Sequence, residues 1–354
     1  MLKIITGSIL VIGLLLATNS AAYTWRFAVS GDTRSDHTKH AQVMEGIIQK
    51  IPNSERITFI NTGDITSDGS SSNWNTWQKV VDGNYASFQI PGGLGINNSQ
   101  NNPPDYIGTA GNHDVSDSNW YSNWKSFLPS QKGVTAYSDI PGHDDGGLFG
   151  SYKYDNTLFL WVDSASRPSG QDDFIKKTLE RAASDDSVVW KFVFFHYPPI
   201  PCGAKSDWSI GKAWHDDYFV PYGVDIIFLG HAHYYERTCP ITSASSKSCD
   251  ESNRGKTIGD SNGVIHVIAG GGGAGLYTPS CTSKCSSCSW LEVGAKRYHF
   301  AEVIIQENQM NMKVWDPTSN ATNPTLIDEL TISKGPVQTP TPTPQHQETE
   351  METV

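Results

Sequence analysis

Between residues 23 and 335 the chain alternates short apolar runs with amphipathic stretches. Runs with the length and composition of buried strands fall at 25–30, 57–61, 158–163, 188–195, 224–229, 264–269 and 301–305, with a shorter one at 106–110. Helical spacing lies between several of them. Val43, Ile47, Ile48 and Ile51 mark one face of a helix over 40–51, and 172–183 and 212–222 have similar periodicity. A further helix over 74–81 follows a Ser-rich N-cap region. Strands alternating with helices predict an α/β fold with substantial parallel pairing, and the β-rich later segments predict a second sheet packed on the first.

The two ends differ from this pattern. Lys3, the apolar stretch 9–17 and the small residues Ser20-Ala21-Ala22 read as a secretory signal peptide over 1–22. Thr18-Asn19-Ser20 interrupts the run before the roughly 20 apolar residues that a membrane span needs. The expectation is an exported protein, secreted or at the cell surface, with no stable membrane span after cleavage. From Pro336 the chain becomes a Pro/Thr-rich tail, 336–354, with little to bury and an extended, solvated character. It is read as a disordered tail through which the protein associates with a cell surface.

Composition bounds the partners. Hydrophobic residues make up 37% of the 354, including 11 Trp and 13 Phe, which is enough for a large core. Against 37 Asp and Glu stand 26 Lys and Arg, and the basic residues cluster only as the pairs Lys176-Lys177 and Lys296-Arg297. A nucleic-acid duplex is therefore a poor partner. Cys281, Cys285 and Cys288 have the C-x3-C-x2-C spacing of radical iron–sulfur enzymes, but an exported chain has no route to such a cluster. With Cys202, Cys239 and Cys249 they read as up to three disulfides stapling loops at 242–262 and 276–290, a structural zinc being the alternative; fifteen pairings are open.

The chemistry lies at the strand ends. One run stops at Gly31-Asp32-Thr33-Arg34, the next at Gly63-Asp64, and others at Gly111-Asn112-His113-Asp114, His196 and Gly230-His231-Ala232-His233. Sites in α/β sheets form at the carboxyl ends of strands, and five such ends each supply a ligand-type side chain. Alone, a Gly-Asp is a turn and a buried His is a core residue. Together they make a mixed oxygen and nitrogen set without thiolate, suited to Fe, Mn or Zn and too large for one tetrahedral ion. Two ions of divalent or trivalent charge are the natural reading, held by a bridging carboxylate and clamping an in-line phosphoryl displacement.

This motif series resembles that of the calcineurin-like metallophosphoesterases, and the extension 230–238, Gly-His-Ala-His-Tyr-Tyr-Glu-Arg-Thr, is similar to the purple acid phosphatase branch. The resemblance spans roughly residues 25 to 335 and implies a four-layer α/β/β/α sandwich with a dinuclear metal site at one edge of the sheets. It implies Asp64 as the bridging ligand, Asp32 and His233 on the first metal, and Asn112, His196 and His231 on the second. His113 would stabilise or protonate the leaving oxygen, with Asp114 orienting it, and a metal-bound hydroxide would attack a small phosphorylated substrate.

Two departures concern the first metal. Where many members carry a His two residues after the first Asp, this chain has Arg34; where purple enzymes carry a phenolate Tyr, it has Ser67. His37, His40 or water are candidates for the missing ligand, although a solvated helix face also accounts for the histidines. A protein without the purple colour is expected. Arg34 reads equally as a phosphate clamp and as a salt-bridge partner of Asp36 or Asp68. Trp74, Trp77, Trp120 and Trp124 read as core rather than as a stacking platform, and Gly270 to Gly273 as tight backbone beside the metals. Asn97 and Asn320 match the glycosylation pattern, and loops at 83–105 and 129–150 are expected to shape the pocket. The expected function is hydrolysis of phosphate monoesters, with a phosphodiesterase, a nucleotidase or a catalytically silent surface module as alternatives.

Overall fold

Buried strands alternate in which face they show, and that alternation explains why their sequences read as continuous apolar runs. Phe192 and Phe194 point into one apolar cluster while Val193 and Phe195 point into another, and Ile226 and Phe228 are divided from Ile227 and Leu229 in the same way. The computed structural model describes residues 23–52, 54–86, 88–89, 105–128 and 147–335. The expected signal peptide (1–22), the tail (336–354), Asn97 and most of the loops at 83–105 and 129–150 lie outside the described residues.

Strand β1 (Thr24–Ser30) leads through α1 (His37–Lys50) to β2 (Arg56–Asn61), which lies parallel to it. Asp36 caps α1 by accepting the Lys39 N–H at 3.0 Å. Ser70 caps α2 (Ser71–Val81), after which come the short hairpin β3 (Asn84–Tyr85) and β4 (Phe88–Gln89), then β5 (Tyr106–Gly108) and α3 (Trp120–Phe127). The second half opens with the hairpin β6 (Gly150–Tyr154) and β7 (Thr157–Trp161), α4 (Gln171–Ala183) and β8 (Trp190–Phe194). Helix α5 (Ser209–Trp214) runs on as a π-turn over His215–Phe219 into β9 (Ile226–Leu229). Then follow β10 (Tyr235–Ser243), β11 (Ser248–Cys249), β12 (Thr257–Ile258), β13 (Val264–Ala269) and β14 (Leu291–Ala295). An antiparallel meander of β15 (Phe300–Gln306), β16 (Gln309–Asp316) and β17 (Thr325–Ser333) closes the described chain.

One sheet has the order β12-β17-β16-β15-β1-β2-β5, and the other β11-β10-β13-β9-β8-β7-β6 with β14 on β10. Strands β1, β2 and β5 are mutually parallel, as are β7, β8, β9 and β13. Phe27, Phe159, Phe192, Phe228, Val303 and Met312 fill the space between the sheets. Helices α1, α2 and α3 cover the outside of the first sheet, and α4 and α5 the outside of the second. The architecture is the expected α/β/β/α sandwich. Trp74, Trp77 and Trp124 are buried in the outer layer, as core residues. The expected helix at 212–222 begins earlier, at Ser209, and its last part widens into the π-turn at His215–Phe219 before the chain reaches left-handed backbone at Gly223 (φ 65°).

The cysteines pair as Cys202–Cys288, Cys239–Cys249 and Cys281–Cys285. The first of these ties the loop after β8 to the 276–290 loop. A buried ion pair joins the sheets: Arg237 on β10 holds Asp328 on β17 through Nε at 2.6 Å, and the Tyr235 hydroxyl donates to the same carboxylate at 2.8 Å. Among the described residues, no helix is long and apolar enough to cross a membrane.

Candidate metal centre

The carboxyl ends of β1, β2, β5, β8 and β9 meet at one edge of the two sheets and bring Asp32, Asp64, Asn112, His196, His231 and His233 together. Ligand atoms of Asp32, Asp64 and His233 lie within 4.8 Å of one another, and all three residues are buried. Three of the six turn sharply at the strand end: Asp32, Asp64 and His231 hold φ at 55°, 51° and 67°. Non-glycine residues rarely take that left-handed conformation, and it is enriched at sites where surrounding structure enforces it. Close backbone approach supports the turns. A Cβ at Gly111 would sit 2.3 Å from Asp64 Oδ1, and one at Gly270 would sit 2.8 Å from Asp32 Oδ2, in agreement with the expectation for the 270–273 run.

Backbone carbonyls set the histidines. Thr62 O holds His196 Nδ1 at 2.9 Å, and Gly275 O holds His233 Nδ1 at 2.9 Å. Each contact puts the ring proton on Nδ1 and leaves the Nε2 lone pair for the site. His233 Nε2 then faces Asp32 Oδ1 at 3.3 Å, while His196 Nε2 faces Asp64 Oδ1 at 3.4 Å and Asn112 Oδ1 at 3.3 Å. These are acceptor atoms opposed to acceptor atoms at buried positions. Only a proton or a cation between them makes such pairs stable.

The charges follow the same geometry. Burial opposes ionisation of Asp64, but His196, the His113 N–H and Arg34 together hold its carboxyl below the usual range. Burial, then Asp64, raise Asp114 to about 7. His231 falls to about 2 through burial, with His196 and Lys205 adding repulsion. Burial also disfavours charge on His233, yet the Asp32 carboxylate outweighs it and raises that histidine.

Several expectations need correction. Asp114 does not contact the His113 ring. Its carboxylate accepts the N–H groups of Ile65 (3.1 Å), Thr66 (2.8 Å) and Gly111 (2.9 Å) and the Thr66 hydroxyl (2.9 Å), so it ties the β2 loop to the β5 loop. The carbonyl of Ser67 orients His113 instead, 2.9 Å from Nδ1. Arg34 pairs with neither Asp36 nor Asp68: its Nε lies 3.1 Å from Asp64 Oδ2. His40 is buried with both ring nitrogens unpartnered and lies outside the Asp32, Asp64, His233 group, as does His37.

Other contributors carry no signature in the sequence. Ser164 Oγ accepts the N–H groups of His196 and Tyr197, each at 3.1 Å, and Tyr277 stacks on His233 with centroids 4.2 Å apart. The carbonyls of Thr62, Ser67 and Gly275 are available to any residue type. Tyr197, packed edge-on to His231 at 4.7 Å, was discoverable only as the neighbour of His196.

The calcineurin-like phosphoesterase family model matches residues 26–235. A probable inactive purple acid phosphatase of Arabidopsis thaliana is 47% identical over 68 residues, 19% of this chain and 10% of that protein. A nucleotide pyrophosphatase/phosphodiesterase of Hordeum vulgare is 41% identical over 68 residues, 19% of this chain and 16% of that protein. The chain thus spans a small fraction of these relatives' length. Among solved structures, a purple acid phosphatase from yellow lupin (Lupinus luteus) seeds superposes with a TM-score of 0.61 at 19% identity, covering 88% of this chain and 54% of that one. That likeness is one of fold.

Proposed function

Since the chain belongs to the calcineurin-like phosphoesterases, a family that binds paired metal ions, we propose that it is an exported, metal-dependent hydrolase of phosphate monoesters. The observation that carries this reading is the set of opposed lone pairs: Asp32 Oδ1 against His233 Nε2, and Asp64 Oδ1 against His196 Nε2. A pair of cations fits between those atoms. Asp32 and His233 would hold one, Asn112, His196 and His231 the other, and Asp64 both; the donor chemistry suits Fe, Mn or Zn. When bound, such ions polarise the phosphoryl oxygens and lower the pKa of an attacking water.

The protein's own groups do the rest. Ser67 O keeps the Nδ1 proton of His113, so in the imidazolium form Nε2 carries a second proton for the leaving oxygen. Arg34, held on Asp64, supplies a guanidinium to the phosphate oxygens. Asp114 fixes the spacing of the loops that carry Asp64 and Asn112. Three disulfides and the leader-like residues 1–22 support a secreted or cell-surface location.

A second reading has support in the names of relatives: one is called inactive, and another acts on nucleotide pyrophosphates and diesters. Metal analysis together with a panel of 4-nitrophenyl phosphate, bis(4-nitrophenyl) phosphate and nucleotides under Fe, Mn and Zn separates the possibilities. The monoester should turn over fastest with about two ions per chain. Faster diester hydrolysis would favour the phosphodiesterase. Less than one bound ion with no turnover would leave a silent module.

A further inference from the structure

Beside the metal centre lies a cavity of about 530 Å³, lined by Asn112, Tyr197, Lys205, Asp207, Trp208 and His231. Its volume is in the range of small-molecule sites. Two of its lining residues are candidate metal ligands, so whatever occupies it is continuous with the reacting phosphoryl group.

The charges in this cavity are unequal. Asp207 is neutralised twice, by Lys212 at 3.3 Å and Lys247 at 3.0 Å. Lys205 has no carboxylate within ion-pair distance among the described residues. Its ammonium rests over the Tyr277 ring, 5.2 Å from the centroid, and Tyr277 in turn stacks on His233 at 4.2 Å. The lysine therefore stands two ring contacts from a candidate ligand, without a counter-ion.

The segment that carries it is anchored at both ends. Pro198, Pro199 and Pro201 restrict the backbone, and the Cys202–Cys288 disulfide anchors it. Glu236 Oε2 accepts the Cys202 N–H at 2.9 Å, Cys202 O accepts from Ser280 N–H at 3.1 Å, and Trp208 N–H donates to Pro199 O at 3.1 Å. A cation on a loop whose ends are anchored binds an anion with less ordering cost than one on a free segment.

We infer that Lys205 forms a second anion subsite, so that this enzyme prefers phosphate esters whose leaving group carries a further negative charge. The inference rests on the phosphoesterase reading. In the reaction, water oxygen bonds to phosphorus and the bond from phosphorus to the leaving oxygen breaks. The leaving oxygen keeps that electron pair and takes a proton, while Lys205 holds the anionic group on the departing alcohol.

A matched pair of substrates tests it. Glycerol 3-phosphate and 3-phosphoglycerate share a carbon skeleton and differ by a carboxylate on the leaving alcohol; pyrophosphate supplies its negative charge as a phosphate leaving group. The metal-loaded full-length protein should favour 3-phosphoglycerate, or pyrophosphate, over glycerol 3-phosphate by about tenfold in kcat/KM, as expected for one charge-assisted contact. Lys205→Ala should collapse that ratio, Lys205→Arg should keep it, and 0.5 M salt should shrink it in the wild type and in Lys205→Arg but not in Lys205→Ala. An unchanged ratio in Lys205→Ala, or equal losses on the charged and uncharged substrates, would overturn the subsite. Turnover of 4-nitrophenyl phosphate reports separately on the phosphoesterase reading. Should that fail, binding of non-hydrolysable imidodiphosphate, tighter than orthophosphate in the wild type and equal to it in Lys205→Ala, still decides the subsite.

Discussion

The guanidinium of Arg34 rests on Asp64, Nε to Oδ2 at 3.1 Å, so the carboxylate proposed to bridge two cations also positions an arginine. In the proposed site, one residue would thereby set both a metal ligand and a donor beside it.

Arg34→Ala should leave the bound metal in place and reduce kcat/KM by about ten- to hundredfold, the loss expected of a hydrogen bond to a charged group. Metal content by elemental analysis, with steady-state kinetics on the same sample, checks it. Unchanged Michaelis parameters would make the arginine a salt-bridge partner alone.

His113→Ala should separate substrates by leaving group. An alkyl phosphate, whose alkoxide needs a proton, should lose about 10²–10⁴ in kcat. 4-Nitrophenyl phosphate, whose phenolate departs without one, should lose far less. Equal losses would argue against proton delivery from Nε2.

Ser67 presents a backbone carbonyl to His113 and offers no phenolate. Iron-loaded protein should therefore lack an iron–tyrosinate band in its visible spectrum. Dialysis against a chelator should abolish hydrolysis, with recovery on returning Fe, Mn or Zn; activity that survives complete metal removal would contradict the site.

Glu236 supplies a pH dependence of stability. Burial raises its carboxyl from the ordinary 4.5 to about 8, so the folded chain keeps a proton that the unfolded chain has lost. Between those values folding takes up a proton, and the contribution, complete below the ordinary pKa, is lost as pH rises to about 8. Glu236→Gln should flatten the decline of Tm over this window. Parallel Tm curves for the two proteins would contradict the shift.

Removing one partner of a buried pair strands the other. Arg237 and Asp328 side chains are 2% and 1% exposed, and Arg237→Ala should cost about 3–5 kcal/mol in denaturant unfolding. Arg237→Met combined with Asp328→Leu should recover most of that. A loss under 1 kcal/mol in the single variant would mean that the pair contributes little to holding the sheets together.

The site was legible in sequence to the extent that it is made of side chains at strand ends. Asp32, Asp64 and His196 each stop an apolar run, and parallel strands bring their carboxyl ends to one edge. What escaped was contact across the chain. Asp114 follows His113, and adjacency suggested that it steers the ring; its hydrogen bonds cross instead to Ile65 and Thr66, nearly fifty residues away. The carbonyl that does steer the ring belongs to Ser67, and a carbonyl has no residue type. Among the strands, β16 was missed because Gln309, Asn311 and Lys313 alternate with Met310, Met312 and Val314, and that half-buried pattern reads weakly beside the fully apolar runs.

The left-handed backbone at Asp32 and Asp64 bears on how such a chain changes over generations. Of the residues reachable from aspartate with almost no change in shape, asparagine alone also tolerates that conformation readily. A substitution to Asn at either position would therefore give up the negative charge while preserving the turn. An Asn at either position would weaken the proposed metal centre by the exchange of a single oxygen atom while leaving the sandwich around it standing.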